Sequence, residues 1–173
     1  MSHFVPTLTI LAALKTACEA LELSIGVRLF DRVDYFHSPD LLQALKQLHS
    51  FKKRACFLVP SGDDFTNAKA GRDLRSDCTR EFIMLLTDQS VSGATAATVG
   101  DSKNPGVVLI KDLVIESLLG ANLALQPVLV RLRPIDGAPV IISLEDQPKA
   151  PGRQAWQITW HADAGTTSVA VPL

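Results

Sequence analysis

The stretch from Arg75 to Leu86, Arg-Ser-Asp-Cys-Thr-Arg-Glu-Phe-Ile-Met-Leu-Leu, constrains the fold more than any other. Cys78, Phe82, Met84 and Leu86 share one parity, while Asp77, Thr79 and Glu81 begin the other. That alternation is the period of a strand with one dry and one wet face. The stretch turns wholly apolar towards its end, as a strand does on entering a core covered on both faces. It then runs into Thr87 to Lys103, made mostly of Ser, Gly, Ala, Thr and Asp. A long strand leading into a mobile arm suits a protein that reaches for a neighbour, and it is not the pattern of a substrate pocket.

A chain of 173 residues, 47% hydrophobic and 20% charged, has the size of one domain and enough apolar content for a real core. Aromatic residues are only 6%, so that core is aliphatic. The formal net charge of -1 argues against wrapping nucleic acid, which requires a clustered basic surface. Lys52-Lys53-Arg54, the densest basic run, reads as the solvated start of a strand. The three cysteines, Cys18, Cys56 and Cys78, are odd in number and widely spaced. They form no Cys-x-x-Cys motif and sit among apolar neighbours, so free core thiols and a reducing, cytoplasmic site of synthesis are expected. The N-terminal Met-Ser-His-Phe-Val-Pro lacks the pattern of a signal peptide. No apolar run approaches the ~18 residues of a membrane span.

Apolar spacing predicts a helix over Thr7 to Leu23, with Leu11, Leu14, Cys18 and Leu21 on one stripe. Ile25 to Val33 alternates as a strand. Ser38-Pro39-Asp40 supplies a capping Ser and a first-turn Pro for a helix to Leu48. Arg54 to Val59 is a short central strand ended by Pro60-Ser61-Gly62-Asp63-Asp64, read as a β-turn. Phe65 to Leu74, polar and with Gly71, reads as a loop or a partly extended segment, and the long strand follows, to about Thr87. Asn104-Pro105 opens a third helix by the same cap-plus-proline logic, running to Leu119 with Gly120 as its stop. Val128 to Arg133, Val140 to Glu145 and Gln154 to Ala162 are strands, the first two joined across a turn at Pro134 to Pro139 that holds Asp136-Gly137. The order α-β-α-β-β-α-β-β-β implies a single α+β domain: a mostly antiparallel sheet with helices packed on it, and extended loops at 61–74 and 87–103. Leu14, Phe57, Phe82, Met84, Ile110, Val114 and Ile158 fall on dry faces and are expected in the core.

Motifs for chemistry are sparse. His3, His37, His49 and His161 show no metal-ligand spacing, and no metal or cofactor is expected. Ser61 lacks the Gly-x-Ser-x-Gly of a nucleophile elbow, and the glycines of 93–106 fit neither a phosphate loop nor a dinucleotide fingerprint. Asp63-Asp64 offers hard oxygen ligands, but turn chemistry accounts for it. Arg72, Arg75 and Arg80 alternate with Asp73, Asp77 and Glu81. This is either a solvated strand face or an interface whose charges set partner and register.

The layout resembles the tail terminator, or tail-completion, proteins of tailed bacteriophages. The resemblance rests on the N-terminal helix of the Leu8-to-Leu21 type and on Arg54-Ala55-Cys56-Phe57-Leu58-Val59-Pro60 ending in a polar turn. Gly71-Arg72 leading into the long strand, the helix from Pro105-Gly106-Val107 to Leu118-Leu119 and the strand ending Gln157-Ile158-Thr159-Trp160 complete it. It implies a non-enzymatic structural protein of the virion, made in the host cytoplasm, that forms a homo-hexameric ring on the last ring of tail tube. There it stops tube growth and joins tail to head. Its partners are other copies of itself, the tail tube protein, the head-proximal neck or connector protein and, in tails that have one, the sheath; membranes and specific nucleic acid are not among them. The residues expected at subunit or partner interfaces are Asp63, Asp64, Arg72, Arg75, Asp77, Arg80, Glu81, Ser92, Thr95 and Thr98. Another neck, connector or tube component, or a small cytoplasmic enzyme without a recognisable motif, are the alternatives.

Overall fold

The chain enters through α1 (Thr7–Glu19), which buries Ile10, Leu11, Leu14 and Cys18 along one stripe. The computed structural model describes residues 4–36, 54–70, 73–90, 92–102, 104–119, 122–125, 128–140 and 152–170. The helix stops four residues short of the expected Leu23, because the next residues are taken up by a hairpin. β1 (Glu22–Ser24) and β2 (Val27–Arg28) pair antiparallel across Ile25 and Gly26. Gly26 sits at φ 76°, in the left-handed region open to glycine, and its N–H donates to Glu22 Oε2 at 3.2 Å. This reversal is why Ile25 to Val33 is not the single strand its alternation suggests. β3 (Arg32–Tyr35) follows. The helix expected over Ser38 to Leu48 lies outside the described residues.

Three strands much longer than the usual 5–6 residues form the centre of the sheet. They are β4 (Ala55–Ala70), β5 (Asp73–Gln89) and β8 (Arg153–Ala170). Between β5 and β8 come α2 (Ala94–Val99), α3 (Val107–Leu118), β6 (Asn122–Leu125) and β7 (Val128–Val140). The six-stranded sheet has the order β3-β4-β5-β8-β7-β6. Every pairing is antiparallel except β3 with β4. The fold is therefore α+β, a single small domain dominated by its sheet.

Two segments expected as turns are strand. Pro60 to Asp64 lies inside β4, and the expected 61–74 loop is the far half of the β4–β5 hairpin, described to Ala70 and from Asp73. The register shifts by one between Pro60 and Gly62, so Ser61 is the extra residue of a bulge. Pro134 to Pro139 likewise lies inside β7, where a shift between Pro134 and Asp136 makes Ile135 the extra residue. Proline and glycine punctuate strands at bulges as well as at turns, and here the ladder runs on past them. The expected strand Val140–Glu145 is described only at Val140, the last residue of β7, and β6 was not anticipated. β8 outruns its expected end by eight residues, to Ala170.

One apolar cluster joins the α1 stripe to Cys56, Leu58, Phe82, Met84, Leu86, Ile158 and Trp160 on the sheet, and to Ile110 and Val114 of α3. Phe57 and Leu85 point to the other face, with Val59 and Ala155. All seven residues expected in the core are buried. The three cysteines are buried free thiols. A hydrogen bond with Cys18, reinforced by burial, holds the Cys56 thiol well above the usual range. A thiol so hard to ionise is a packing group rather than a nucleophile.

Candidate interaction surface

β5 carries charge at one end and apolar bulk at the other, and the charged end is where the interface residues were expected. Arg80 lies on the helix-bearing face, between Cys78 and Phe82. It forms an ion pair with Asp63, its register partner on β4. Its guanidinium sits over the Phe65 ring, 5.9 Å from the centroid, and Phe65 meets Phe4 edge-on at 6.3 Å. Glu81 points the opposite way. Its carboxylate accepts from Ser61 Oγ at 2.8 Å, and its other oxygen lies 3.4 Å from His161 Nε2. Glu81, His161 and Arg133 are successive register partners across β5, β8 and β7, so they share this face. Arg133 in turn holds Asp163 at 3.1 Å.

Of the charges expected to reach a neighbouring subunit, Asp63 and Arg80 thus pair with each other, and Glu81 is taken up by Ser61 and His161. Asp64 is exposed beside Thr79, and Asp77 is half-buried, in register with Thr66 on β4. Arg75 is in register with Ala68 and Ser168. Arg72 lies outside the described residues. The alternation of charge along β5 had suggested these positions. Ser61 and His161, the partners of Glu81, could not be found that way, because cross-strand register depends on bulges such as that at Ser61.

Ser92, Thr95 and Thr98 lie elsewhere. The nine steps from Arg80 to Gln89 carry β5 roughly 30 Å away from the charged end. There the expected 87–103 loop is a built connector rather than a mobile arm. β5 continues to Gln89, and Ser90 N–H donates to Gly152 O at 3.1 Å. Ser92 N–H donates to Ser90 Oγ at 3.1 Å. α2 buries Ala96 and Ala97, leaving Thr95 exposed and Thr98 bonded to Ala94 O at 2.8 Å. Gly100 (φ 90°) and Gly106 (φ 79°) pack backbone against backbone: a Cβ at Gly106 would meet Gly100 N at 2.3 Å.

A buried carboxylate ties this connector down. Asp88 is fully buried, and its Oδ2 accepts from Asn104 Nδ2 at 2.7 Å and from Gly106 N–H at 3.0 Å. Gly106 is the residue that caps α3, so Asp88 supplies from a distant strand the carboxylate that a helix start favours. Asn104 is therefore not the cap expected from Asn104-Pro105; its side chain serves Asp88 instead. Burial pushes the Asp88 carboxyl above the usual range, opposed by the Gln89 N–H, the Asn104 amide and the Gly106 N–H.

On the far edge of the sheet, α3 and the bulged part of β7 leave an open groove of about 370 Å³. Ile115, Ile135, Trp156 and Ile158 supply its apolar walls, between Lys111 and Asp136. The Lys111 ammonium lies over the Trp156 ring, 5.3 Å from its centroid. Among the described residues, no cluster of three or more His, Cys, Asp and Glu side chains could hold a metal ion, and no helix is long and apolar enough to cross a membrane.

No family model matches this sequence, and no curated protein matches it. Among solved structures, a chain described as "Virion of native gene transfer agent (GTA) particle" is similar, with a TM-score of 0.50 and 13% identity. The match covers 88% of this chain and 92% of that one, so the likeness extends over nearly the whole fold.

Proposed function

We propose that this chain is a structural protein of a phage-like virion, and specifically a tail terminator. In this reading it forms a homo-hexameric ring on the head-proximal end of the tail tube, stops tube growth and presents a surface to the neck or connector protein. The observation that carries the reading is the near full-length likeness in fold to a chain of a gene transfer agent virion. The layout of the surface supports it. Two patches, the charged end of β5 and the α2 connector, lie at opposite ends of one strand, as contacts to two different partners in a stack require. Exposed Asp64 serves the first, and exposed Ser92 and Thr95 the second. The charges of Asp63, Arg80 and Glu81 are taken up within the subunit, so they stiffen the hairpin that a partner meets.

The test is the mass of the purified protein by light scattering, followed by electron microscopy after mixing with tail tubes of the same virion. Six-subunit particles seated on one end of tubes of arrested length are expected. Growth of the chain into tubes by itself would make it a tube component. A protein that stays monomeric and leaves tubes bare would overturn the assembly reading and favour an enzyme. Because α2 buries Ala96 and Ala97, the connector is probed at its exposed face with Thr95→Glu, which is expected to weaken docking while leaving the fold intact.

A further inference from the structure

The tip of the β1–β2 hairpin is an anomaly. Turn positions of this kind favour Asn, Asp or Gly, yet Ile25 stands there 100% exposed, with Val27 beside it at 43%. Scattered apolar residues are common on surfaces, but a β-branched side chain held wholly in water at a hairpin tip contributes nothing to its own fold. The hairpin is short, its turn is held by the bond from Gly26 N–H to Glu22, and it leads within a few residues into β3, one edge strand of the sheet. The groove under α3 lies towards the opposite edge, on β7 and β8. The β7 bulge pushes Ile135 out to 50% exposure at its rim.

Charge pairs the two features. Arg28, exposed at the base of the hairpin, has no ion-pair partner among the described residues, and neither does Asp136 at the groove. We infer that the Ile25 tip of one copy seats in the Ile115–Ile135–Trp156–Ile158 groove of a second copy, with Arg28 meeting the partner copy's Asp136 position. Tip and groove are different surfaces at opposite edges of the sheet, so the contact is head-to-tail. Such a contact repeats from copy to copy and closes a ring when its rotation allows. The inference rests on the ring reading above and supplies its subunit contact, leaving the two ends of β5 for tube and neck.

The experiment uses the full chain, with mass measured by light scattering over a concentration series. Ile25→Asp and Asp136→Arg each alter exposed side chains, and each is expected to weaken self-association by about tenfold or more. Mixed in equal amounts, the two variants retain one good tip and one good groove between them, so they should form heterodimers that do not grow further. Arg28→Glu should also weaken association, and combining it with Asp136→Arg should restore it. If the parent assembles and Ile25→Asp assembles equally well, the tip-in-groove contact is wrong and the ring forms through other surfaces. Weakening by Asp136→Arg without weakening by Ile25→Asp would likewise overturn it, since the groove would then take another occupant. A parent that never associates sinks the ring reading itself, and this contact with it.

Discussion

The two ends of β5 are built from different chemistry. From Phe82 to Leu86 the strand is enclosed: Phe82, Met84 and Leu86 face the helices, Leu85 faces the second apolar cluster, and all four are buried. From Asp77 to Glu81 one face is polar and half-buried, the other sets buried Cys78 beside half-buried Arg80, and Arg80 and Glu81 are paired rather than packed. Burial of a large apolar side chain is worth ~1.5–3 kcal/mol, whereas an ion pair with one partner open to solvent, as Asp63 is, is worth about 1 kcal/mol. Stability therefore concentrates at one end of the strand, and the other end is free to be shaped by contact with partners.

Substitutions sharpen that contrast. Phe82→Ala opens a cavity in the enclosed half and is expected to cost ~3–5 kcal/mol in urea denaturation. A variant melting within a degree of the parent would show that the enclosed half does not hold the fold. Asp88→Ala leaves the N–H of Gly106 without its acceptor and the Asn104 amide with only its long bond to Gln89 O, at a cost of about 3 kcal/mol, and amide exchange at the start of α3 should accelerate. At the charged end, Arg80→Ala should cost only about 1 kcal/mol, since Asp63 is free to return to water. A loss as large as that of Phe82→Ala would erase the distinction between the two halves.

The smallest effect is a difference in sign with pH. The hydrogen bond from Arg32, aided by the Tyr35 N–H, draws the Asp34 carboxyl below the usual range against its partial burial. Its contribution is present above the unfolded-state value and is lost as pH falls through the folded one. Asp88 has the opposite sign: its folded value is raised, so its contribution is present below the unfolded value and is lost as pH rises through the folded one. Asp34→Asn should change stability by about 0.5 kcal/mol or less near neutrality, and less still in acid. Stability curves of Asp34→Asn and Asp88→Ala against pH, measured between about 3 and 7, should diverge from the parent with opposite slopes.

The enclosed half was legible in the sequence because alternation and burial obey the same period. Phe82, Met84 and Ile158 were all placed by that period alone, as Ile110 was by the helical one. The charged half was legible as a strand only as far back as Arg75. Its partner segment from Pro60 to Ala70 carries Pro, Gly and paired Asp, local signals that mean a turn unless a bulge absorbs them. Whether it does is decided by β5 across the ladder, not by the segment itself. The connector failed for the converse reason. Ala94 to Val99 is too short and too weakly amphipathic to announce a helix, and the end of the connector after it is tied down by Asp88, with Asn104 and Gly106 lying 16 and 18 residues along the chain from it. The charged residues expected at an interface were picked out by charge pattern, which marks where charges are but not with which strand they pair.

The position of β8 between β5 and β7 has a consequence for synthesis on the ribosome. β4 and β5 are consecutive and can zip together as soon as both have emerged. The other edge of β5 waits for residues 153–170, about 80 positions further along the chain. At a synthesis rate of ~5–20 residues per second, that edge stays open for roughly 4–16 s. During this interval the Phe82-to-Leu86 segment, the most apolar run of the sheet, is an unpaired edge in a crowded cell. Nascent chains on one message are then close enough to pair with each other before they complete themselves. Slower elongation over α3 to β7 should lower the yield of soluble protein more than the same slowing after residue 170.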